Sequence, residues 1–295
     1  MHNLPLVTVI CLCYNHEKFV IEALNSITNQ TYKNIEIIVA DDASNDSSVQ
    51  KIKEWHKNYP HTALIINETN LGNTKTFNKA LKLSNGDFII DLAADDVLFP
   101  NCIEKQISTF LNAKTERLAI VYGNAEIISE DNTHLDYYYK VDNDKKAITK
   151  PASGDIYKAI LSQSSMICSI SSMIKKEVLI ELNGYDENLS YEDLDIWIRT
   201  SRNYNFEFID SVLIKKRELA NSLGNMFYKK LNTRTKKINR STYLVIRKAI
   251  VLNQTKEENK ALLKRLHFEM EKAYRTLDLL LFIKYIPLEL KLRFS

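Results

Sequence analysis

The sequence predicts an α/β fold, with a mixed and mostly parallel sheet flanked by helices, followed by a C-terminal helical tail. Apolar runs of strand length alternate with amphipathic stretches over residues 6–92, the pattern of parallel strands joined by crossover helices. Of the 295 residues, 45% are hydrophobic and only 6 are glycine, as in an ordered chain with a sizeable core. Beyond residue 225 the sequence becomes helical and basic.

The first part of the chain justifies the parallel sheet. Residues 6–13 are apolar almost throughout, as in a strand buried on both faces. The stretch 17–29 carries an apolar stripe at helical spacing, and the same alternation then repeats. The predicted strands are 6–13, 35–40, 63–66 and 87–92, and the predicted helices are 17–29, 46–59 and 74–83.

The second part of the body is less regular. A polar stretch over 129–151, rich in Asp, Asn, Lys and Tyr, predicts a mobile excursion over the site. Before it we expect a helix over 102–111 and a strand over 118–122, which could continue to 128. After it we expect a helix over 154–161, an extended segment over 166–174, helices over 176–182 and from 192, and short strands over 206–209 and 212–214.

The chain divides into a body over residues 1–224, with halves meeting near residue 100, and a helical region over 225–295. Apolar residues recur there at steps of three and four, which indicates a helical seam. The seam has three possible roles, and the sequence does not choose among them. It could pack on the body, pair with a second copy to form a homodimer, or lead into an amphipathic end suited to an anionic membrane surface. The seam residues are Leu262 or Leu263, Leu266, Met270, Ala273, Leu277 and Leu280.

Charge is distributed unevenly along the chain. Residues 225–295 carry 17 Lys and Arg against 6 Asp and Glu, whereas residues 1–224 carry 23 against 31. A solvated helical face accounts for much of this basic charge, and no nucleic-acid partner is predicted.

Motifs and cysteines narrow the class of protein. Neither GxGxxG nor GxxxxGK[ST] occurs, which excludes ordinary dinucleotide-binding and Walker-type sites. No leader segment and no run of about 18 apolar residues is found, so we expect a cytoplasmic protein, with peripheral attachment to the inner membrane as an option. Four cysteines are expected to be buried free thiols: Cys11, Cys13, Cys102 and Cys168.

Two carboxylate pairs follow neighbouring strands. Asp41-Asp42 ends the second strand, and Asp95-Asp96 follows the fourth. In parallel sheets ligands bind beyond the carboxyl ends of the strands, so both pairs are expected to face one crevice.

A series of short motifs runs in a fixed order through residues 5–222. The motifs are Tyr14-Asn15-His16-Glu17, Asp41-Asp42, Asn70-Leu71-Gly72 with Asn78, Gly86-Asp87, Asp95-Asp96 with Pro100, Gly184-Tyr185-Asp186-Glu187, and Glu192-Asp193. In this order they resemble glycosyltransferase family 2, the nucleotide-diphospho-sugar transferases with the GT-A fold, in its bacterial surface-polysaccharide type. The ordered set of motifs is specific for the family, but it does not identify the sugar that is transferred.

The resemblance assigns the donor nucleotide to the first carboxylate pair. Asp42 matches the position that accepts a hydrogen bond from the nucleobase, with Asp41 beside it. The alternative is that the pair only caps the next helix. Tyr14 and Asn15 are expected to floor the same pocket, and Asn70 to border it.

The second pair resembles the metal-binding region of the family. Asp96 is assigned to Mg²⁺ or Mn²⁺, and Asp95 to the ribose or the sugar of the donor. A hard divalent cation needs few carboxylates when phosphate oxygens and water complete its shell. Ala93 stands where many relatives have a further Asp.

Two cations are assigned to the donor diphosphate. Lys75 is one, with a solvated helical lysine as the alternative. Arg217 is the other, although Leu219 stands where relatives often carry a histidine near the metal.

Glu192-Asp193 matches the catalytic pair of the family. Inverting transfer needs a carboxylate that takes the proton of the acceptor hydroxyl as its oxygen attacks the anomeric carbon. The resemblance gives this role to Asp193 and gives Glu192 the orientation of acceptor or base.

The function implied is a metal-dependent inverting transfer of a hexosyl or N-acetylhexosaminyl group from a nucleotide-diphosphate donor, with UDP favoured, to a carbohydrate or lipid-linked saccharide. The alternatives are a nucleotidyltransferase of the same fold, for which a Gly-rich basic N-terminal loop is missing, and a degenerate binding module.

Overall fold

A computed structural model describes residues 4–219 and 226–294 of the protein. Its strands are β1 (Val7–Cys13), β2 (Ile35–Asp41), β3 (Ala63–Ile66), β4 (Phe88–Ala93), β5 (Val97–Leu98), β6 (Leu118–Ile128), β7 (His134–Tyr137), β8 (Met173–Lys175) and β9 (Asn205–Arg217). They form one sheet in the order β3-β2-β1-β4-β8-β6-β9-β5, with β7 pairing beside β6.

The α/β prediction is confirmed. Strand β1 lies between β2 and β4 and runs parallel to both, with Cys13 paired to Asp41 and Leu12 to Ala93. The three strands are largely buried because helices cover both faces of the sheet. Their carboxyl ends therefore meet at one edge of the sheet.

The other half of the sheet is mixed. Strand β8 is antiparallel to both β4 and β6, while β6 and β9 run parallel. Strand β9 is one long strand where the sequence predicted two short ones. Ile209, Asp210 and Ser211 have no partners in the register opposite Gly123, so the pairing with β6 is irregular there while the strand continues.

The helices follow the predicted order, with one segment predicted wrongly. Residues 166–174 hold a 3₁₀ turn at Ser169–Ser171 before the short strand β8, because the Ser171 hydroxyl bonds the backbone of Cys168 and Gly123. The helices are α1 (Val20–Thr28), α2 (Ser48–Asn58), α3 (Asn73–Leu81), α4 (Cys102–Asn112), α5 (Tyr157–Ser162), α6 (Lys176–Glu181), α7 (Asp193–Ser201), α8 (Thr233–Leu252), α9 (Lys256–Arg275) and α10 (Leu279–Phe294).

The polar stretch 129–151 is tied to the sheet. Strand β7 within it pairs with the end of β6, and the Tyr138 N–H donates to the Ala125 carbonyl. The Asn124 side chain also bonds both backbone groups of Tyr139. This ordered pairing departs from the mobile excursion that the polar composition predicted.

The C-terminal helices pack on the body, which is the first of the three alternatives. The predicted seam does not run through one helix, because a turn at 276–278 with Leu277 at φ +62° separates α9 from α10. The boundary predicted near residue 224 lies outside the described residues. The residues of α8–α10 that join the main core are Val245, Ile246, Ala249, Ala261, Leu262, Leu266, Ala273, Leu281, Tyr285 and Leu292.

Two further expectations can be compared with the fold. The four cysteines are buried and unpaired, as predicted. Within the described residues, no helix is both long enough and apolar enough to cross a membrane.

Candidate functional site

A cleft opens at the carboxyl ends of β1, β2 and β4, where the sequence predicted a crevice. It consists of two adjoining cavities of about 610 and 1060 Å³, called the first and the second cavity below. Asp42, Asn70 and Asp91 border the first, whereas Asn15, Asp95 and Asp96 border the second. The residues that border both are Tyr14, His16, Ala93, Ser169, Ile170, Glu192, Asp193 and Arg234.

Asp42 organises one wall of the first cavity. Its carboxylate accepts hydrogen bonds from the backbone N–H groups of Leu71 and Gly72, both at 2.8 Å. The side chains of Asn67 and Thr76 donate to the same carboxylate at 2.9 and 2.8 Å. The buried Asp42 thus fixes the loop before α3 while bordering the cavity.

Asp41 points away from the cleft. Its side chain is fully buried and accepts hydrogen bonds from the backbone N–H and the hydroxyl of Ser44. Ser44 also accepts from the Asn15 N–H, and the Asn15 side chain accepts from Asn45 N. These contacts lock together the loops after β1 and β2, while the half-exposed Tyr14 borders both cavities.

Asp95 and Asp96 meet at the second cavity. Asp96 is buried, and its Oδ1 accepts a hydrogen bond of 2.9 Å from Arg217 N. Burial, followed by the charge of Asp95, raises the pKa of Asp96 well above its usual value. His16 Nδ1 lies 3.5 Å from Asp95 Oδ1 and, within the described residues, makes no hydrogen bond.

This carboxylate pair fits an open divalent-cation site. Within the described ranges no group of three or more His, Cys, Asp or Glu side chains is arranged to enclose a metal. Mg²⁺ and Mn²⁺ commonly bind one or two carboxylates and complete their shell with phosphate oxygens and water. A cation beside Asp96 would also relieve the repulsion between two adjacent carboxylates.

Arg217 is turned inward, which departs from the phosphate contact expected for it. Its buried guanidinium donates to the carbonyls of Asp95, Ser129 and Glu130 at 3.0–3.1 Å. It also pairs with Glu22 Oε2 at 2.8 Å. These protein acceptors occupy the guanidinium, so Arg217 braces the loops around the cleft.

Lys216 faces the cleft instead. Successive side chains of a strand point to opposite faces, so the inward direction of Arg217 sends Lys216 into the second cavity. Within the part of the chain that the structure describes, its ammonium group makes no hydrogen bond or ion pair. Strand alternation in Lys215-Lys216-Arg217 indicates that Lys216 and Arg217 face opposite sides, but it does not indicate which of them faces the cleft.

Lys75 lies outside both cavities. It is exposed near the start of α3 and borders a third cavity of about 430 Å³, between the start of that helix and α8. Asn70 borders the first and the third cavity, so it joins the two. The structure therefore brings Asn70 into the cleft and leaves Lys75 beside it.

Glu192 and Asp193 stand at the start of α7, in the wall common to the first two cavities. Asp193 Oδ1 accepts a 2.6 Å hydrogen bond from Leu194 N. Burial raises the pKa of Asp193, and the nearby cations Lys216 and Arg265 oppose part of that rise. The resulting carboxylate is poorly hydrated and more basic than an exposed one.

Asp91 is a third carboxyl group at this wall, and it is not among the residues predicted from the sequence. Burial raises its pKa to about 7, and the Tyr185 hydroxyl donates to it at 3.2 Å. Burial, Asp193 and then Asp91 raise the pKa of Glu192 to about 8, while Asn73 donates to it at 2.8 Å. Asp91 could have been identified from the sequence, because it is an acidic residue within the otherwise apolar strand β4.

The C-terminal region contributes to the cleft. Arg234, in the first turn of α8, borders all three cavities. Helix α8 is fastened to α7 because Lys248 bonds both Asp186 and Asp195, and Arg199 of α7 also pairs with Asp195 at 2.7 Å. Arg234 was not predicted, because the sequence of the helical region 225–295 does not indicate the surface of the body on which that region packs.

The chain matches the sequence profile described as glycosyl transferase family 2 over residues 8–182. It is 30% identical to an uncharacterized glycosyltransferase of Haemophilus influenzae, over 97% of this chain and 92% of that one. It is 28% identical to the putative glycosyltransferase EpsE of Bacillus subtilis, over 85% of this chain and 90% of that one.

A solved structure shares the fold. The crystal structure of residues 1–349 of TarS from S. aureus, in complex with UDP-GlcNAc, matches with a TM-score of 0.67. The match covers 91% of this chain and 72% of that one at 17% identity, so it establishes the GT-A fold alone. The profile match, which spans more than half of the chain, and the relative at 30% identity show that the protein belongs to glycosyltransferase family 2.

Proposed function

We propose that the protein is a metal-dependent, inverting glycosyltransferase with a nucleotide-diphosphate sugar donor, UDP being the favoured nucleotide, and a carbohydrate or lipid-linked saccharide acceptor. The observation that carries this proposal is one continuous cleft bordered by Asp42, the Asp95–Asp96 pair and Asp193. These are the groups that nucleobase recognition, diphosphate binding and proton transfer require.

The nucleoside belongs in the first cavity. Asp42 presents a fixed carboxylate there, and its contacts with Leu71 and Gly72 hold the cavity wall before any ligand binds. A preformed site loses less conformational freedom on binding. The UDP-GlcNAc bound by TarS supports UDP as the nucleotide to test first.

The diphosphate belongs in the second cavity, where a bound divalent cation and Lys216 would supply positive charge. Asp96 would hold Mg²⁺ or Mn²⁺, which stabilises the charge on a departing diphosphate, and Asp95 beside it would face the ribose or the sugar of the donor. Lys216 would add a direct positive charge from β9. Arg217 would act indirectly by bracing Asp96 through its N–H.

Proton transfer is assigned to Asp193. A carboxylate with a raised pKa accepts a proton more readily, which suits a general base near neutral pH. Glu192, with its pKa raised to about 8, retains its proton at neutral pH and would donate a hydrogen bond to the acceptor. The two neighbouring carboxyl groups would therefore have different roles.

The test compares chemistry with donor binding. Asp193→Asn is expected to lower turnover about 10²- to 10⁴-fold while leaving UDP binding in Mn²⁺ intact. Asp96→Ala is expected to abolish the thermal stabilisation by UDP and Mn²⁺, and the exposed Asp144→Asn is the matched control. Full turnover in Asp193→Asn would contradict the assignment, and NMR of the product's anomeric configuration tests inversion.

We also propose that α10 attaches the enzyme to an anionic membrane surface. Leu281 and Tyr285 anchor the helix to the core, which leaves its other side open. That side carries exposed apolar residues beside Lys284 and Lys291, a pattern that fits an anionic bilayer surface. The exposed apolar residues are Leu279, Leu280, Ile283, Ile286, Leu290 and Phe294.

A further inference from the structure

The third cavity, introduced above with Lys75, is a basic recess that opens beside the catalytic cleft. It lies between the start of α3 and helix α8, and three cations border it: Lys75, Arg234 and Lys237. Asn70, Asn73 and Arg234 also border the first cavity, so the two spaces adjoin each other. A ligand in the cleft could therefore extend into this recess.

The three cations are not neutralised by the protein. Within residues 4–219 and 226–294, none of their side chains makes a hydrogen bond or an ion pair. Nearby basic residues are engaged, since Lys248 pairs with Asp186 and Asp195. Three like charges around one recess repel one another unless an anion lies between them.

Other polar groups of the recess are compatible with an anion. Glu187 is its only carboxylate among the described lining residues, and it already accepts a 3.0 Å hydrogen bond from Asn78. The Ser190 hydroxyl oxygen is buried and has no hydrogen-bond partner in the described structure. It could donate a hydrogen bond to a ligand that the three cations attract.

We propose that this recess binds a phosphate group of the acceptor substrate. A guanidinium fork with two ammonium groups suits the oxygens of a phosphate monoester or diphosphate. The inference rests on the proposed glycosyl transfer and specifies its acceptor as a phosphate-bearing molecule. Its phosphate would be either a monoester on the acceptor or the diphosphate of a carrier.

The recess adjoins the first cavity, where the nucleoside is placed, but the anionic part of the donor lies elsewhere, which assigns the anion of the recess to the acceptor. The donor diphosphate is placed at Asp95 and Asp96 in the second cavity, which shares only Arg234 with the recess among the described residues. Lys75 and Lys237 border neither of the first two cavities. They are therefore available for a second anion while the donor is bound.

The test measures phosphate binding when the donor site is already occupied. Asp193→Asn protein is saturated with UDP and Mn²⁺, and inorganic phosphate or pyrophosphate is then titrated by calorimetry. We expect saturable binding that weakens at least about tenfold when Lys75→Met and Lys237→Met are combined, because two charge-assisted contacts are lost. Arg234 stays unchanged because it also borders the donor cavities.

The control variant combines Lys82→Met, at the exposed lysine that directly follows α3, with Lys236→Met, at an exposed lysine of α8. It should bind both probes like the parent protein. Preference for pyrophosphate would indicate a carrier diphosphate, and preference for phosphate would indicate a monoester.

Separate outcomes would overturn the two proposals. Loss of phosphate binding on addition of UDP, equal weakening in the control variant, or no phosphate binding at all would overturn the acceptor subsite. Failure of UDP to bind in Mn²⁺, measured in the first titration, would instead overturn the proposed donor site.

Discussion

Neighbouring residues of β9 are expected to respond to substitution in opposite ways. Arg217→Met removes a buried guanidinium that bonds three carbonyls and Glu22. Breaking a buried charged network from one side costs about 3–5 kcal/mol. Because Glu22 is partly exposed and can turn toward water, we expect about 3 kcal/mol, the lower end of that range. At about 2–4 °C per kcal/mol, the melting temperature should fall by about 6–12 °C.

Lys216→Met removes a charge that faces the cleft. Its effect on the free energy of unfolding should stay within about 0.5 kcal/mol, as for a site without buried partners. The loss of one charge-assisted contact with the diphosphate should weaken UDP binding about 10- to 100-fold. The two variants together separate bracing of the site from binding.

The assays are urea unfolding, followed by the fluorescence of Trp55 and Trp197, and calorimetric titration with UDP in Mn²⁺. Lys105→Met, at a partly buried lysine that bonds Ser211, provides a comparison for loss of a single contact from β9. The reasoning is refuted if Arg217→Met unfolds like the wild type but no longer binds UDP, since the guanidinium would then contact the phosphate.

Two further predictions concern pH and membranes. Because the pKa of Glu192 rises from 4.5 to about 8 on folding, its protonated form stabilises the native state, and this contribution is lost as pH rises toward 8. Glu192→Gln should therefore flatten the fall in unfolding free energy between pH 5 and 8, measured by urea unfolding; an unchanged slope would contradict the raised pKa. Ile283→Gln with Leu290→Gln should reduce sedimentation with vesicles containing phosphatidylglycerol, whereas Leu111→Gln should not. Two outcomes would count against membrane attachment through α10. One is vesicle binding that the double substitution leaves unchanged, and the other is a monomer–dimer equilibrium that this substitution disrupts in place of vesicle binding.

The part of the fold that depends on local sequence could be predicted well. Strand β3 was predicted with the observed bounds, and β1 within one residue, because each is an apolar run between clear polar boundaries. The segment 166–174 was misassigned because the serine hydroxyls compete for backbone groups, which apolar periodicity does not detect.

The candidate site could be predicted in part. The sequence placed Asp42, Asp96 and Asp193 at strand or helix ends, and the structure brings them to one cleft. From the sequence alone, Lys216 could not be distinguished from Arg217, because the face of β9 that meets the cleft was not known. Arg234 depends on how a distant helix packs on the body, which local patterns do not encode.

The ion pairs of Lys248 have a consequence for recombining this enzyme with its relatives. Lys248 lies on α8 and holds Asp195, two residues after the proposed base on α7. A chimaera that exchanges the C-terminal helices would therefore exchange Arg234 and alter the support of Asp193 in the same step. We expect such exchanges to give active hybrids only when the incoming helix preserves a cation opposite Asp186 and Asp195.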